Sequence, residues 1–190
     1  QVAQLGITNI RIRPLELKGQ ELVTARQQNP DGLSLSDCDA IRANCPFVTR
    51  MAPVREVSQA PYFKGKMINA SVRAVTRAYG DVMNFVPARG RFIADMDVET
   101  AQRICVVGAE IYQDIFGRQP WEDVAGEWIQ IGDAMYTVAG VMEDKRLAST
   151  RSGAVDIRNV NRDIYLPFTV AEKRLPADDG YHELSELIIQ

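Results

Sequence analysis

Val48–Arg77 reads VTRMAPVREVSQAPYFKGKMINASVRAVTR, and the pattern of this stretch decides the fold. Lys64-Gly65 is a tight-turn signal between two extended runs. After the turn, Met67, Asn69, Ser71, Arg73 and Val75 alternate with Ile68, Ala70, Val72 and Ala74. A period of two places one set on a buried face and the other on the opposite face. The stretch is therefore predicted as strand, turn, strand. Its central segment Ala60–Met67, APYFKGKM, carries the Gly-Lys pair of a phosphate loop. It lacks the first glycine and the Ser/Thr that would hold magnesium, and it sits in a hairpin rather than between strand and helix.

On both sides of this hairpin the chain alternates helix and strand. Residues 5–14, LGITNIRIRP, alternate cleanly and predict a strand ended by Pro14. Residues 15–32 are polar and read as a loop, with Gln27–Gly32 its strongest signal. Ser34 and Asp37 form a capping box that opens a short helix with a buried stripe of Leu35, Cys38, Ile41 and Cys45, closed by Pro46. Downstream, residues 79–86 predict a short helical turn, and Pro87–Gly90 lead into an extended loop. Ile104–Val107 predicts a strand that passes through Gly108 into the helix AEIYQDIF, stopped by Gly117. Glu127–Ile131 and Tyr136–Met142 are strands joined at Gly132-Asp133. Residues 144–160 read as a long mobile loop. Ile164–Phe168 is a short strand whose Pro167 predicts an edge position, followed by a helix at 169–175 that ends at Pro176. Leu184–Gln190 is the last strand. This order predicts the α+β class with two small cores.

The 190 residues suit one large domain or two small subdomains. Hydrophobic residues make up 46% and charged residues 25%, which excludes collagen-like, disulfide-scaffold and disordered classes. With 22 basic and 25 acidic side chains the net charge is −3, so no nucleic-acid partner is expected. No window approaches the roughly 18 consecutive apolar residues of a membrane span. The chain begins at Gln1 without an initiator Met or signal peptide and stops inside Leu187-Ile188-Ile189, so it reads as a piece of something longer. Cys38 and Cys45, if both helical, lie about 10.5 Å apart along the axis, beyond the roughly 7 Å reach of a disulfide. Both are expected as small buried hydrophobes, and Cys105 as part of a buried strand.

Little in the sequence points to catalysis. His182, the one histidine, lies in a polar stretch and is read as incidental. Asp95, Asp97 and Glu99 mimic the first three ligands of a calcium loop, but Thr100 replaces the turn glycine and Val106 the closing glutamate. A solvated acidic loop is expected there. Gly108, between strand and helix, is read as a tight turn rather than an anion site. Trp121 and Trp128 leave two readings open: one exposed as a contact residue, or both capping the second core. Phe85 and Phe92, around Arg89–Arg91, carry the same ambiguity. No nucleophile, base and oxyanion donor assemble, so no catalytic, cofactor-binding or metal-binding residues are assigned. A freestanding hydrolase would rest on His182 and the acidic loop alone.

The chain resembles the extracytoplasmic core domain of MacB-type ABC transporter permeases. The resemblance runs through LGITNIRIRP, Leu33–Asp37, Cys45–Val48, Pro87–Phe92 and Cys105–Gly108. It continues in Ile115-Phe116-Gly117, Pro120, Gly126, Ile129–Ile131, Tyr136–Val141 and Ile164–Phe168. Phe47 stands where that family commonly has a turn glycine, and the 144–160 loop looks distinctive of a subgroup. The resemblance implies a domain between the first and second of four transmembrane helices. A porter-like β-α-β-β/β-α-β subdomain is expected from 1–85 and 161–190, short of a final helix and strand, with an inserted small mixed α/β subdomain at 86–160. It implies a bacterial inner-membrane protein with this domain in the periplasm and ATP hydrolysis by a separate cytoplasmic ATPase domain or subunit. The implied work is coupling that hydrolysis to export of periplasmic substrate. Implied partners are a second permease copy, a periplasmic adaptor and an outer-membrane channel, with the isolated fragment a monomer. The alternative is an FtsX-like docking module that recruits a cell-wall hydrolase.

Overall fold

The computed structural model describes residues 9–15, 17, 19–29, 32–117, 119–145, 159–175 and 183–190. The Lys64-Gly65 turn is present, with φ of 47° and 79° at its two positions, the double left-handed geometry that matches strand twist in a two-residue hairpin. The hairpin it closes is long. Its first arm comprises β2 (Met51–Val57) and β3 (Pro61–Phe63), its second arm β4 (Lys66–Met67) and β5 (Ser71–Val75). Val54 faces Val75, Val57 faces Val72, Tyr62 faces Met67 and Phe63 faces Lys66, a single register from base to tip. The ladder breaks at 58–60 and 68–70, bridged by Ile68 N–H donating to the Pro61 carbonyl at 2.8 Å.

The remaining strands are β1 (Ile10–Ile12), β6 (Pro87–Gly90), β7 (Ile104–Val107), β8 (Trp128–Ile131), β9 (Ala134–Met142), β10 (Asp163–Pro167) and β11 (Glu186–Ile189). They form one mixed sheet in the order β1-β11-β2-β5-β10-β7-β9-β8-β3-β4. Because β2 with β3, and β4 with β5, are continuous arms of one hairpin, this order returns on itself. The second arm pairs with β10 through β5, and the first arm pairs with β8 through β3. β9 carries β7 in parallel on one side, and on the other β8 and then β6.

The largest core lies on one face of this circuit. It gathers Val57, Val72, Cys105, Ile129, Ile131, Tyr136, Val138, Ile164 and Leu166 with residues of α5 (Ala109–Phe116), α6 (Trp121–Val124) and α7 (Phe168–Arg174). On the opposite face α3 (Arg77–Val82) and the chain around α4 (Asp95–Glu99) cover Val54, Val75, Val106, Tyr165 and Ile188. A third cluster forms where α2 (Leu35–Asn44) packs on β1, β2 and β11 through Cys38, Met51, Leu187 and Ile189. The capping box is visible at α2, where the Asp37 carboxylate accepts the Ser34 N–H at 2.8 Å.

Several expectations are corrected. Residues 15–32 are not all loop: α1 spans Gln20–Gln28. It has no apolar stripe to announce it, but its Gln, Glu, Ala and Arg are good helix formers. The helical turn expected at 79–86 is α3, which starts two residues earlier, and Pro87–Gly90 is a paired strand, β6. β10 is central rather than an edge, flanked by β5 and β7. Pro167 is tolerated because it ends the strand and is the residue before α7. Cys45 is exposed, because α2 has ended before it turns inward. Most of the 144–160 loop and Pro176 lie outside the described residues.

Gly108 joins β7 to α5, and its N–H donates to the Asp163 carbonyl at 2.8 Å. A Cβ there would stand 2.3 Å from the carbonyl oxygen of Asn161, a main-chain contact that cannot swing aside. We expect Gly108→Ala to lower stability by about 1–3 kcal/mol, read from the urea midpoint. An unchanged midpoint would show that the β7–α5 corner is not close-packed.

Candidate interaction surface

Cross-strand register sets out one exposed row of side chains. Met67 on β4 faces Tyr62 on β3, Tyr62 faces Gln130 on β8, and Gln130 faces Met135 on β9. Trp128, one pleat along β8, faces Thr137. The neighbours of opposite parity, Pro61, Ile129, Ile131 and Tyr136, are buried, so the row lies on the solvent side of the β4-β3-β8-β9 wing of the sheet. Its apolar members are 67% (Met67), 38% (Tyr62), 55% (Trp128) and 44% (Met135) exposed. A row of exposed apolar side chains interrupted only by Gln130 marks a contact surface more often than scattered single residues do. Lys64 and Glu127, 3.5 Å apart, stand beside it.

The two tryptophans therefore part company. Trp128 is exposed, whereas Trp121 packs on the large core with its ring against Gly90. The alternation of Trp128 with Ile129 and Ile131 was the signal that places it outward. Phe85 and Phe92 resolve inward, their ring centroids 5.9 and 5.8 Å from that of Tyr165. The expected acidic loop is instead α4, with Asp97 buried. The Arg91 guanidinium grips Asp97 with both terminal nitrogens, Nη2 at 2.8 Å from Oδ1, and Ala94 N–H donates to the same carboxylate. Burial works to raise the Asp97 carboxyl, but these donors hold it below the ordinary aspartate value. Asp97 thus caps a loop-to-helix corner.

Among the described residues no three His, Cys, Asp or Glu side chains cluster to hold a metal ion. All three cysteines are free thiols, and burial pushes the Cys105 thiol far above its usual range. His182 lies outside the described residues. No described helix is long and apolar enough to cross a membrane.

One ionisable cluster stands apart. Glu186 on β11 is 1% exposed, and its Oε2 is 3.0 Å from Nη1 of Arg73, itself 6% exposed, on β5. Its Oε1 meets Arg13 Nε at 3.0 Å and Arg11 Nη1 at 3.4 Å. Arg73 also lies 4.0 Å from Glu56. Burial alone would raise the Glu186 carboxyl. Arg73, then Arg11 and Arg13, outweigh that and hold it below the ordinary glutamate value.

With the wing and its exposed row in place, comparison with known proteins is decisive. The family profile of the MacB-like periplasmic core domain matches residues 2–190. The chain belongs to that family. It is 27% identical over 189 residues to the macrolide export ATP-binding/permease protein MacB of Hahella chejuensis, covering 100% of this chain and 26% of that protein. It is 29% identical to the pyoverdine export ATP-binding/permease protein PvdT of Pseudomonas syringae pv. syringae, over 77% of this chain and 21% of that protein. The chain thus spans about a quarter of the curated relatives it matches. The periplasmic region of MacB from Actinobacillus actinomycetemcomitans has the same fold, with a TM-score of 0.71 at 15% identity over 100% of this chain and 77% of that one. The extracellular domain of the Gram-positive transporter YknZ gives 0.67 at 16% identity, over 95% and 83%.

The Glu186 cluster gives this domain an acid limit. Its folded carboxyl titrates below its unfolded value, so the stabilisation is complete above the ordinary glutamate range and is lost as pH falls through the folded value. We expect a stability plateau near neutrality that declines below about pH 4.3. Glu186→Gln should start lower by about 3–5 kcal/mol, since Arg73 loses its counter-ion, and show a shallower acid decline. Parallel pH profiles for the two proteins would refute the assignment.

Proposed function

We propose that this chain is the extracytoplasmic domain of an ABC transporter permease in a bacterial inner membrane, which couples ATP hydrolysis elsewhere in the transporter to export of substrate from the periplasm. The match of the family profile from residue 2 to residue 190 carries this reading. It is supported by relatives named as macrolide and pyoverdine export ATP-binding/permease proteins. The hairpin geometry of Ala60–Met67 supports the assignment of ATP hydrolysis to a separate domain or subunit, since the Gly-Lys pair sits in a β-turn that offers no helix N-terminus to a phosphate. The domain would work through differential contacts in two states of a permease dimer, as any mechanical coupling requires.

Within this reading 86–160 forms a subdomain inserted between 1–85 and 161–190 and joined to them by the β10–β7 and β3–β8 pairings. A periplasmic adaptor, leading to an outer-membrane channel, is the partner we assign to the Met67–Tyr62–Gln130–Met135 row and Trp128. That row is apolar, nearly uncharged and rigidly registered, which suits a stable protein contact better than a passing one.

In the complete transporter with its adaptor, ATPase turnover should rise severalfold on adaptor addition. Trp128→Ala with Met135→Ser should reduce that stimulation. The same substitutions should change folding stability by less than about 0.5 kcal/mol. ATPase activity indifferent to adaptor and substrate would overturn the transporter reading. Retention of a cell-wall hydrolase activator in place of an adaptor would replace it with the FtsX-like docking role.

A further inference from the structure

β1 is held to the sheet differently from the strands around it. Among the described residues it pairs with β11 alone, through Ile10↔Ile189, Arg11↔Ile188 and Ile12↔Leu187. Ile10 is 64% exposed, and only Ile12 joins the apolar cluster beneath α2. β11, by contrast, is buried along its whole length. The attachment of β1 is therefore mainly polar: the ladder, Asn9 Nδ2 donating to the Val82 carbonyl at 2.8 Å, and the two arginines on Glu186.

The Glu186 carboxylate divides its oxygens between two tasks. Oε2 faces inward to Arg73 on β5, while Oε1 faces outward to Arg11 and Arg13. We propose that β1 is a strap that undocks from β11 as a unit, with Glu186 Oε1 as its catch. Release leaves the Arg73–Glu186 pair closed, so no buried charge is orphaned when the strap leaves. Arg11 and Arg13 are each about half exposed, and water takes over their hydration as they swing free. Around the catch, Arg73 on β5 lies 4.0 Å from Glu56 on β2 and in the field of Tyr79 on α3 and Asp163 on β10, and the sulfur of Met83, after α3, lies 3.7 Å from Arg11 Nη2. None of these groups holds β1 without Glu186, apart from that weak sulfur contact. The inference rests on the fold alone and stands or falls separately from the transporter reading.

Hydrogen exchange on the chain tests it. In Arg11→Gln/Arg13→Gln, the bonded amides of residues 10–12 should exchange about tenfold faster, the loss expected from two half-exposed ion pairs. Amides of β5 and β10 should keep their wild-type protection. Glu186→Gln should behave differently, accelerating β5 and the β11 amides bonded to β2 as well, because it also unpairs Arg73. Unchanged protection of β1 in the double variant, or a uniform rise across β1, β5 and β10, would overturn the strap. So would identical exchange patterns in the two variants.

Discussion

The single register of the Met51–Val75 hairpin is the constraint on which the other elements depend. Its base sits between β11 and β10, and its tip lies against β8. One covalent hairpin thus belongs to both wings of the molecule. A one-residue slip would exchange every inward side chain for an outward one. It would move Val57 and Val72 off the large core and turn Tyr62 and Met67 inward. The Lys64-Gly65 turn prevents that slip, because its paired left-handed residues fix the loop at two. The exposed row on the wing and the buried core behind it are therefore set by the same turn.

Charge is handled in two ways, and the difference matters for function. Asp97 is neutralised locally by Arg91, six residues away, and stabilises a corner. Glu186 is neutralised by residues 113, 173 and 175 positions away, so its ion pairs report on how distant segments are assembled. A buried carboxylate shared by three arginines is poor evidence of net stability, because desolvation offsets much of the attraction. Its better use is in deciding which strand docks where. Arg11 and Arg13 also place charge on an edge strand, a pattern that discourages pairing with another chain's edge.

Much of this was legible in the sequence, and what was not has identifiable causes. The Lys64-Gly65 and Gly132-Asp133 turns, the strand–Gly108–helix corner and the Ser34–Asp37 cap are local signals, and local physics fixes them. α1 escaped because a helix lying on the surface needs no apolar stripe. α4 escaped because five residues are too few to show a period, and its acidic side chains read as solvated until Arg91 is seen across the turn. Pro167 misled because the rule against proline in central strands does not apply to a strand's last residue. Glu186 had a readable trace: alternation in Glu186–Ile189 puts it on a face with Ile188, and Arg11 and Arg13 share a parity that calls for an acidic partner. Joining those traces requires knowing that β1 and β11 are neighbours, a tertiary fact.

The fold's resemblance to a solved relative at 15% identity follows from the same division. What the sheet demands is parity, a two-residue left-handed turn and small residues where main chains cross. Many sequences meet those demands, so identity drains away while the strand order stays. The outward positions are under no such demand. Met67, Tyr62, Gln130, Met135 and Trp128 sit on strands whose register is secured from the opposite face, so their chemistry is free to follow whatever the wing touches. Geometry fixed from the inside, with contact chemistry variable on the outside, lets one architecture carry many different surfaces.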